Sequence, residues 1–329
     1  MNLFFARIFG KLMNAEKAEK YNAQKLADAK RYREIEASET YKEYLALERE
    51  VSSPLFIAKK EELKSSKEKG AWQGSDEAQK ETRLAALKKT SGIAFMLNAD
   101  IREIEEIESW KKVWETEFND SNLEKNDMKA GFWFKQKGLK TNFSYIGEAL
   151  AYMGEKNISI RNGILSIFTK KERVSAPAWD AKQGFKMHDY MYTSAVVNSG
   201  DAFSQPIGKF IAKVRATGKC HSGVYLVGED TFPVIELFHY NGKNLVVGLT
   251  DKNGSEREVI KGIKANDWMI LTVNVNRQEI VWTLNNMEIH RAKNPLPGQS
   301  LHFTCLSFAP EGKASESRFD IGYLKGFVK

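Results

Sequence analysis

The pattern of apolar and polar positions changes near residue 140. Before that point, apolar residues recur every three or four positions among Lys, Glu and Ala, which predicts amphipathic helices. After it, short Val-, Ile-, Phe- and Tyr-rich stretches alternate with polar residues and are separated by Gly and Asn, which predicts strands. We therefore predict an N-terminal helical array or bundle over residues 1–140 and an antiparallel β-sandwich over residues 141–329.

Polar breaks divide the helical region. "VSSPLF" places Ser53 as an N-cap and Pro54 at the first helical position, and "WQGSDEA" places Ser75 before two acids. "LEREVSSPLF" also aligns with "WETEFNDSNL" further along the chain. This similarity predicts a two-fold helix-turn-helix repeat over about residues 38–66 and 105–133. Chance similarity between Glu-rich helices is the open alternative.

The first segment, MNLFFARIFGKLM, has apolar residues at helical spacing. Arg7 and Lys11 interrupt it, so it is too short for a membrane span and a poor signal peptide. We expect it to pack against a partner helix, with an interfacial anchor as the alternative. No later segment reads as a membrane span, so we expect cytoplasmic synthesis without a signal peptide.

The charge and the reactive residues argue against several classes of binding site. The chain has 329 residues, with 50 basic and 43 acidic ones and a net charge of +7. Because these charges are interleaved and no recognition motif accompanies them, we expect no nucleic-acid partner. No glycine-rich phosphate loop is present, and the histidines lack metal-ligand spacing, so we predict no cofactor and no metal site. We predict that Cys220 and Cys305 are buried free thiols, although a pair remains open.

Several strand pairs occur in a recognisable order. "NISIRNGILSIFTKKE" contains an Asn162-Gly163 turn between two strands, and "YTSAVVNSGDAFSQPIGKFIAKVRA" follows it. "NDWMILTVNVNRQEIVWTLNNMEIHR" and the closing "FDIGYLKGFV" complete the series. This order resembles the jelly roll of glycoside hydrolase family 16, a relative of the concanavalin A-like lectins. The resemblance covers about residues 141–329 and implies a concanavalin A-like β-sandwich. Some relatives hold a structural calcium ion, and a calcium site therefore stays open.

The resemblance also implies where the family's catalytic residues would lie. The family carries E-I-D-I-x-E on one strand, and "TFPVIELFHY" stands at that place here. Val234 occupies the position of the nucleophile, Glu236 that of the aspartate, and His239 that of the acid/base, or Phe238 in a shorter spacing. Retaining hydrolysis needs two carboxylates about 5–5.5 Å apart, and valine cannot attack. We therefore predict no catalytic residue and a degenerate, pseudoenzyme site.

Sugar binding without hydrolysis follows as an expectation. Aromatic faces and a few polar groups hold carbohydrates in concave sites. The candidate ligand contacts are four residues of the expected concave sheet and one on a rim loop: Tyr225, Glu236, Phe238, Tyr240 and Trp179. For each aromatic residue, a place in the core or on the ordinary surface is the alternative.

The expected function is a non-catalytic structural or glycan-binding protein. In this hypothesis the helices recruit protein partners and build the chain into a larger assembly. A bacteriophage virion would reconcile a sugar-cleft fold with synthesis in the cytoplasm. The alternatives are a divergent glycoside hydrolase acting on a β-glucan or galactan, and a cytosolic lectin-like adaptor.

Overall fold

The computed structural model describes Leu3, Ala6 and residues 12–68, 70–134, 142–230, 232–295 and 297–329. Most of the stripe predicted in the first segment lies outside these residues. The chain divides into two compact units. The helical unit comprises Lys20–Trp110, and the β unit comprises Met1–Glu19 together with Lys111–Lys329. In the described ranges, no helix is both long and apolar enough to cross a bilayer.

The helices follow the capping chemistry of the sequence. Ser53 accepts a hydrogen bond from the backbone N–H of Phe56 and precedes Pro54, and Ser75 accepts one from Ala78, so both predicted helix starts are confirmed. The helices are α1 Ala15–Glu36, α2 Glu39–Val51, α3 Pro54–Ser65, α4 Asp76–Lys88, α5 Ser91–Asn98 and α6 Ile101–Glu108.

Two small apolar clusters hold the helical unit together. Tyr32 of α1 packs with Met96 and Ile104, and Tyr44 of α2 packs with Leu84 and other residues of α4 and α5. All of these side chains are buried. Because each helix buries a narrow apolar stripe, its opposite face keeps the Lys and Glu residues in solvent.

The β unit contains two sheets around one apolar core. Its strands are β1 Lys111–Thr116, β2 Lys129–Ala130, β3 Ser144–Tyr145, β4 Leu150–Tyr152, β5 Ile158–Arg161, β6 Ile164–Asp180, β7 Gly184–Ser194, β8 Val196–Asn198, β9 Gly208–Thr217, β10 His221–Asp230, β11 Phe232–Tyr240, β12 Leu245–Asp251, β13 Gly254–Ile260, β14 Met269–Val275, β15 Glu279–Leu284, β16 Met287–Lys293, β17 Leu301–Phe308 and β18 Ser317–Val328. Short 3₁₀ turns lie at Glu124–Asn126 and Gly154–Asn157.

The strand order defines a β-sandwich. One sheet runs β16-β15-β14-β9-β18-β6-β7-β4, with β1 on β18 and both β3 and β5 on β6. The other runs β13-β12-β11-β10-β17-β8-β2. Apart from the short β3–β6 and β4–β7 pairs, neighbouring strands are antiparallel. Asn162 and Gly163 both have positive φ at the β5–β6 turn, which confirms the predicted hairpin.

The structure corrects the predicted domain boundary and repeat. Residues 111–116 form β1, which pairs with β18, so the β unit resumes at Lys111 and not near residue 140. The second predicted repeat copy, 105–133, therefore contains the end of α6 followed by a strand, and the helix-turn-helix repeat is wrong. Trp114 explains the difference, since it is buried and stacks 4.7 Å from Phe203. Pairing across the sheet outweighs the Glu- and Lys-rich local composition.

We expect Phe238→Ala to destabilise the sandwich by about 3–5 kcal/mol, because it empties a fully buried position. The Phe238 ring stacks 5.6 Å from Phe319 of the opposite sheet. Denaturant unfolding monitored by tryptophan fluorescence measures the loss, with the partly exposed Phe168→Ala as the matched control. A loss below about 1 kcal/mol for Phe238→Ala would place this side chain outside the core.

Candidate functional site

A β-bulge in β11 decides which side chains reach the outer face of the seven-stranded sheet, meaning the face turned away from the core. Val224 pairs with Phe238, but Tyr225 pairs with Glu236, so Leu237 is one residue more than β10 can match. Leu237 and Phe238 are both buried in the core as a result. Strict alternation would have put Phe238 on the outer face after Glu236; the bulge puts His239 there instead.

The opposite sheet fixes this bulge. The indole Nε1 of Trp282, a buried residue of β15, donates a hydrogen bond of 2.9 Å to the backbone carbonyl of Glu236. A bulge leaves backbone groups without ladder partners, and a buried carbonyl without a partner is costly. Trp282 satisfies this carbonyl and so holds Val234, Glu236 and His239 on one face.

The carboxylate of Glu236 is buried from solvent and forms an ion pair with Arg257. Glu236 is 2% exposed, and its Oε1 lies 2.9 Å from Nη2 of Arg257 on β13. Gly248 of β12 lies between them in register. A Cβ at Gly248 would come within 2.2 Å of the Glu256 carbonyl, so only glycine fits there. Among the described residues, Oε2 of Glu236 has no hydrogen-bond partner.

Two histidines, His239 and His221, continue the polar contacts that begin at Glu236 and Arg257. Nδ1 of His239 lies 3.4 Å from Oε1 of Glu236, and Nε2 of His239 lies 3.1 Å from Nδ1 of His221. Burial, and then the neighbouring His239, lowers the pKa of His221 to about 4. His221 is therefore neutral at neutral pH, and the tautomers of the two rings decide which of them donates the hydrogen bond between His221 Nδ1 and His239 Nε2.

A cavity of about 250 Å³ opens on the outer face beside this group. Val234 lies in its wall. The rest of the wall is mainly aromatic and comes from β10, β17, the segment before β3, and β3 and β4 with the loop between them. Its described lining is Phe132, Trp133, Phe134, Tyr145, Glu148, Tyr152, Tyr225, Val227, Gly228, Val234, His302, Thr304, Leu306 and Phe308.

Two glycines make room for the aromatic walls. The Trp133 ring lies over Gly200, where a Cβ would approach the ring to 2.2 Å, and its Nε1 donates to Asp201 at 2.8 Å. The Tyr225 ring lies over Gly223, where a Cβ would approach it to 2.2 Å. Both rings are thus held against backbone, which lowers the entropy they lose when a ligand stacks on them.

Glu148 is the acid of the cavity wall. Its Oε2 accepts a hydrogen bond from the backbone N–H of Tyr145 at 3.0 Å, and its Oε1 accepts one from the hydroxyl of Tyr152 at 3.0 Å. Burial raises the pKa of Glu148 despite these bonds. Burial also raises the pKa of the Tyr152 and Tyr225 phenols and lowers the pKa of His302 to about 4, so these three side chains are neutral at neutral pH.

The five predicted ligand contacts lie in different parts of the β unit. Tyr225 lines the cavity, and Glu236 lies on the same sheet face but is shielded. Phe238 cannot contact a ligand, because it is fully buried in the core. Tyr240 is half-buried against the core and outside the described cavity wall, and its ligand contact stays a prediction. Trp179 is at the end of β6, not on a rim loop; it packs 5.0 Å from Phe185 and is not part of the described cavity wall.

Sequence reasoning missed most of the wall, including Trp133, Glu148 and His302. "GFWF" at residues 131–134 was a visible signal, but the predicted boundary assigned it to the helical domain. Cys220 and Cys305 are buried and free, as predicted. Within the described ranges, His, Cys, Asp and Glu side chains form no group of three or more that could hold a metal ion. The calcium site stays open.

Solved structures similar to this chain include carbohydrate-active enzymes. The laminarinase catalytic domain of Thermotoga maritima MSB8 is 18% identical, with a TM-score of 0.54 over 67% of this chain and 99% of its own. SCLam, a non-specific endo-β-1,3(4)-glucanase of family GH16, is 16% identical, with a TM-score of 0.53. The match covers 67% of this chain and 92% of SCLam. The κ-carrageenase of Pseudoalteromonas carrageenovora is 14% identical, with a TM-score of 0.51. The match covers 67% of this chain and 95% of the carrageenase.

These similarities cover the C-terminal part of the chain and show its fold, which is the jelly roll of glycoside hydrolase family 16. The predicted concanavalin A-like sandwich after N-terminal helices is confirmed. No protein-family model matches the sequence, and no curated protein matches it.

We expect Arg257→Met to destabilise the β unit by about 1–3 kcal/mol, because it leaves the buried Glu236 carboxylate without its cation. Adding Glu236→Gln should recover part of the loss, since it removes the unpaired charge. Chemical denaturation of both single variants and the double variant gives the coupling energy. Additive effects would show that the two side chains do not interact.

We expect the sandwich to lose stability as the pH falls from 6.5 toward 4. The folded pKa of His302 is lowered from the ordinary 6.5 to about 4, so in this window the unfolded chain binds a proton that the folded chain does not. His302→Gln should make the fall in melting temperature shallower, because the remaining titrating groups are unchanged. Parallel curves for the two proteins would contradict a buried, neutral His302.

Proposed function

We propose that the β unit binds a carbohydrate in the outer-face cavity without cleaving it. The observation that carries this proposal is the arrangement of β11. Val234, which the sequence pattern aligns with the family's nucleophile, lines the cavity, and Glu236 is buried against Arg257.

The absence of a paired acid on β11 argues against hydrolysis. A retaining enzyme needs a second carboxylate about 5–5.5 Å away, and an inverting enzyme needs one about 6.5–9.5 Å away with room for water. Among the outer-face residues of β11, Glu236 is the only carboxylate, and at 2% exposure it is shielded from a substrate. Its charge is already balanced by Arg257.

The cavity has the features of a sugar site. Trp133 and Tyr225 supply flat rings for stacking on a pyranose, and the polar His302, Thr304 and Glu148 can orient hydroxyl groups. Its volume of about 250 Å³ suits one sugar ring with its neighbours outside. The fold neighbours act on β-1,3-glucan and κ-carrageenan, which makes oligosaccharides of these polymers the first ligands to try.

We expect isothermal titration calorimetry to show binding of such an oligosaccharide. Tyr225→Ala and Trp133→Ala should each weaken it about 3–10-fold, because each removes one stacking contact of roughly 0.5–1.5 kcal/mol. Trp179→Ala is the control, since Trp179 lies outside the described cavity wall. Equal losses at all three positions, or no binding in the series, would contradict the proposal.

A divergent glycoside hydrolase is the second candidate, and Glu148 is the observation that favours it. A carboxyl group with a raised pKa in an apolar cavity is suited to donate a proton. Under our first proposal, wild-type protein releases no new reducing ends from β-1,3/1,4-glucans or sulfated galactans. Turnover abolished by Glu148→Gln or Glu236→Gln would support the second candidate and overturn the first.

We propose that the helical unit recruits protein partners into a larger assembly, with a bacteriophage virion as the hypothesis for its location. A cytosolic lectin-like adaptor would use the same cavity. What supports the assembly role is the helical unit itself, which presents Leu55 at 85% exposure and Ile57 at 48% on α3.

A further inference from the structure

We infer that the cavity binds the protonated amine of an amino sugar, with the Glu148 carboxylate as its counter-ion. This inference rests on the proposed function, because it assigns a ligand class to the same cavity. It follows from the placement of one acid within a wall of aromatic rings.

Glu148 retains free acceptor capacity toward a ligand. Each carboxylate oxygen can accept about two hydrogen bonds, and each is given one by the protein, from Tyr145 N–H and Tyr152 O–H. An ammonium group in the cavity could therefore donate to the remaining positions. Charge-assisted bonds of this kind are stronger than neutral ones.

The rest of the described wall favours a cation. None of its residues is Lys or Arg, so none of them neutralises Glu148. Trp133, Tyr145 and Tyr152 line the same space, and the face of an aromatic ring attracts an ammonium group. Burial raises the pKa of Glu148, and a bound ammonium would offset that effect by stabilising the ionised form.

The same wall disfavours an anionic sugar. His302 is neutral because burial lowers its pKa to about 4, and the phenols of Tyr152 and Tyr225 are neutral as well. A sulfate or carboxylate in the cavity would lie near the Glu148 carboxyl group with no cation among the described wall residues. Arg257 is already paired with Glu236.

The test compares oligosaccharides of equal length by calorimetry at neutral pH. The ligands are a β-1,4-linked glucosamine oligomer, its N-acetylated form, a neutral β-1,3-glucan oligomer and a κ-carrageenan oligomer. We expect the free-amine oligomer to bind wild-type protein about tenfold or more tightly than the others, as a charge-assisted hydrogen bond predicts. Glu148→Gln should remove this preference, so that the free-amine and neutral oligomers bind the variant with similar affinity.

The outcomes separate the two proposals. Equal binding of amine and neutral oligomers, unchanged by Glu148→Gln, overturns the amino-sugar inference and keeps the sugar site. Tighter binding of the κ-carrageenan oligomer also overturns it. Failure of every oligomer to bind a protein with a normal melting curve overturns both. If Glu148→Gln does not fold, Glu148→Asp keeps the charge but shortens its reach, and it should lower the amine preference; an unchanged preference would contradict the inference.

Discussion

One hydrogen bond supports the arrangement of the outer face. The Trp282 indole donates to the Glu236 carbonyl from the opposite sheet, at the point where β11 carries one residue more than its partner. This bulge places Leu237 and Phe238 together in the core and turns His239 outward. Core packing and the composition of the outer face are thus set by the same extra residue, because the side-chain alternation of a strand reverses at a bulge.

The outer face then has two parts with different chemistry. At the Glu236 end, three strands align Glu236, Gly248 and Arg257, so the buried charge is balanced and closed to solvent. At the Val234 end, the sheet is open and apolar, and aromatic side chains from other segments surround the space. Such a surface can hold a ring by stacking. We propose that binding has been kept there while bond cleavage has not.

Local chemistry made part of this structure predictable. Ser53 and Asn162-Gly163 act within a few residues, so their helix start and turn could be read directly. The strand at residues 111–116 could not, because its pairing with β18 is set far along the chain. The choice of His239 over Phe238 depends on Trp282, 46 residues from Glu236. Tyr225 could be predicted from its place on the expected concave sheet, whereas Trp133 lies in a segment that the predicted boundary assigned to the helical domain.

A single-turnover experiment tests most directly whether this site holds a sugar without cutting it. The protein is mixed in molar excess with an oligosaccharide that it binds, and mass spectrometry follows both the sugar and the intact protein over many hours. We predict that the full-length oligosaccharide is recovered and that the protein mass is unchanged. Shorter fragments that depend on the protein, or a glycosyl adduct on one of its carboxylates, would contradict the account.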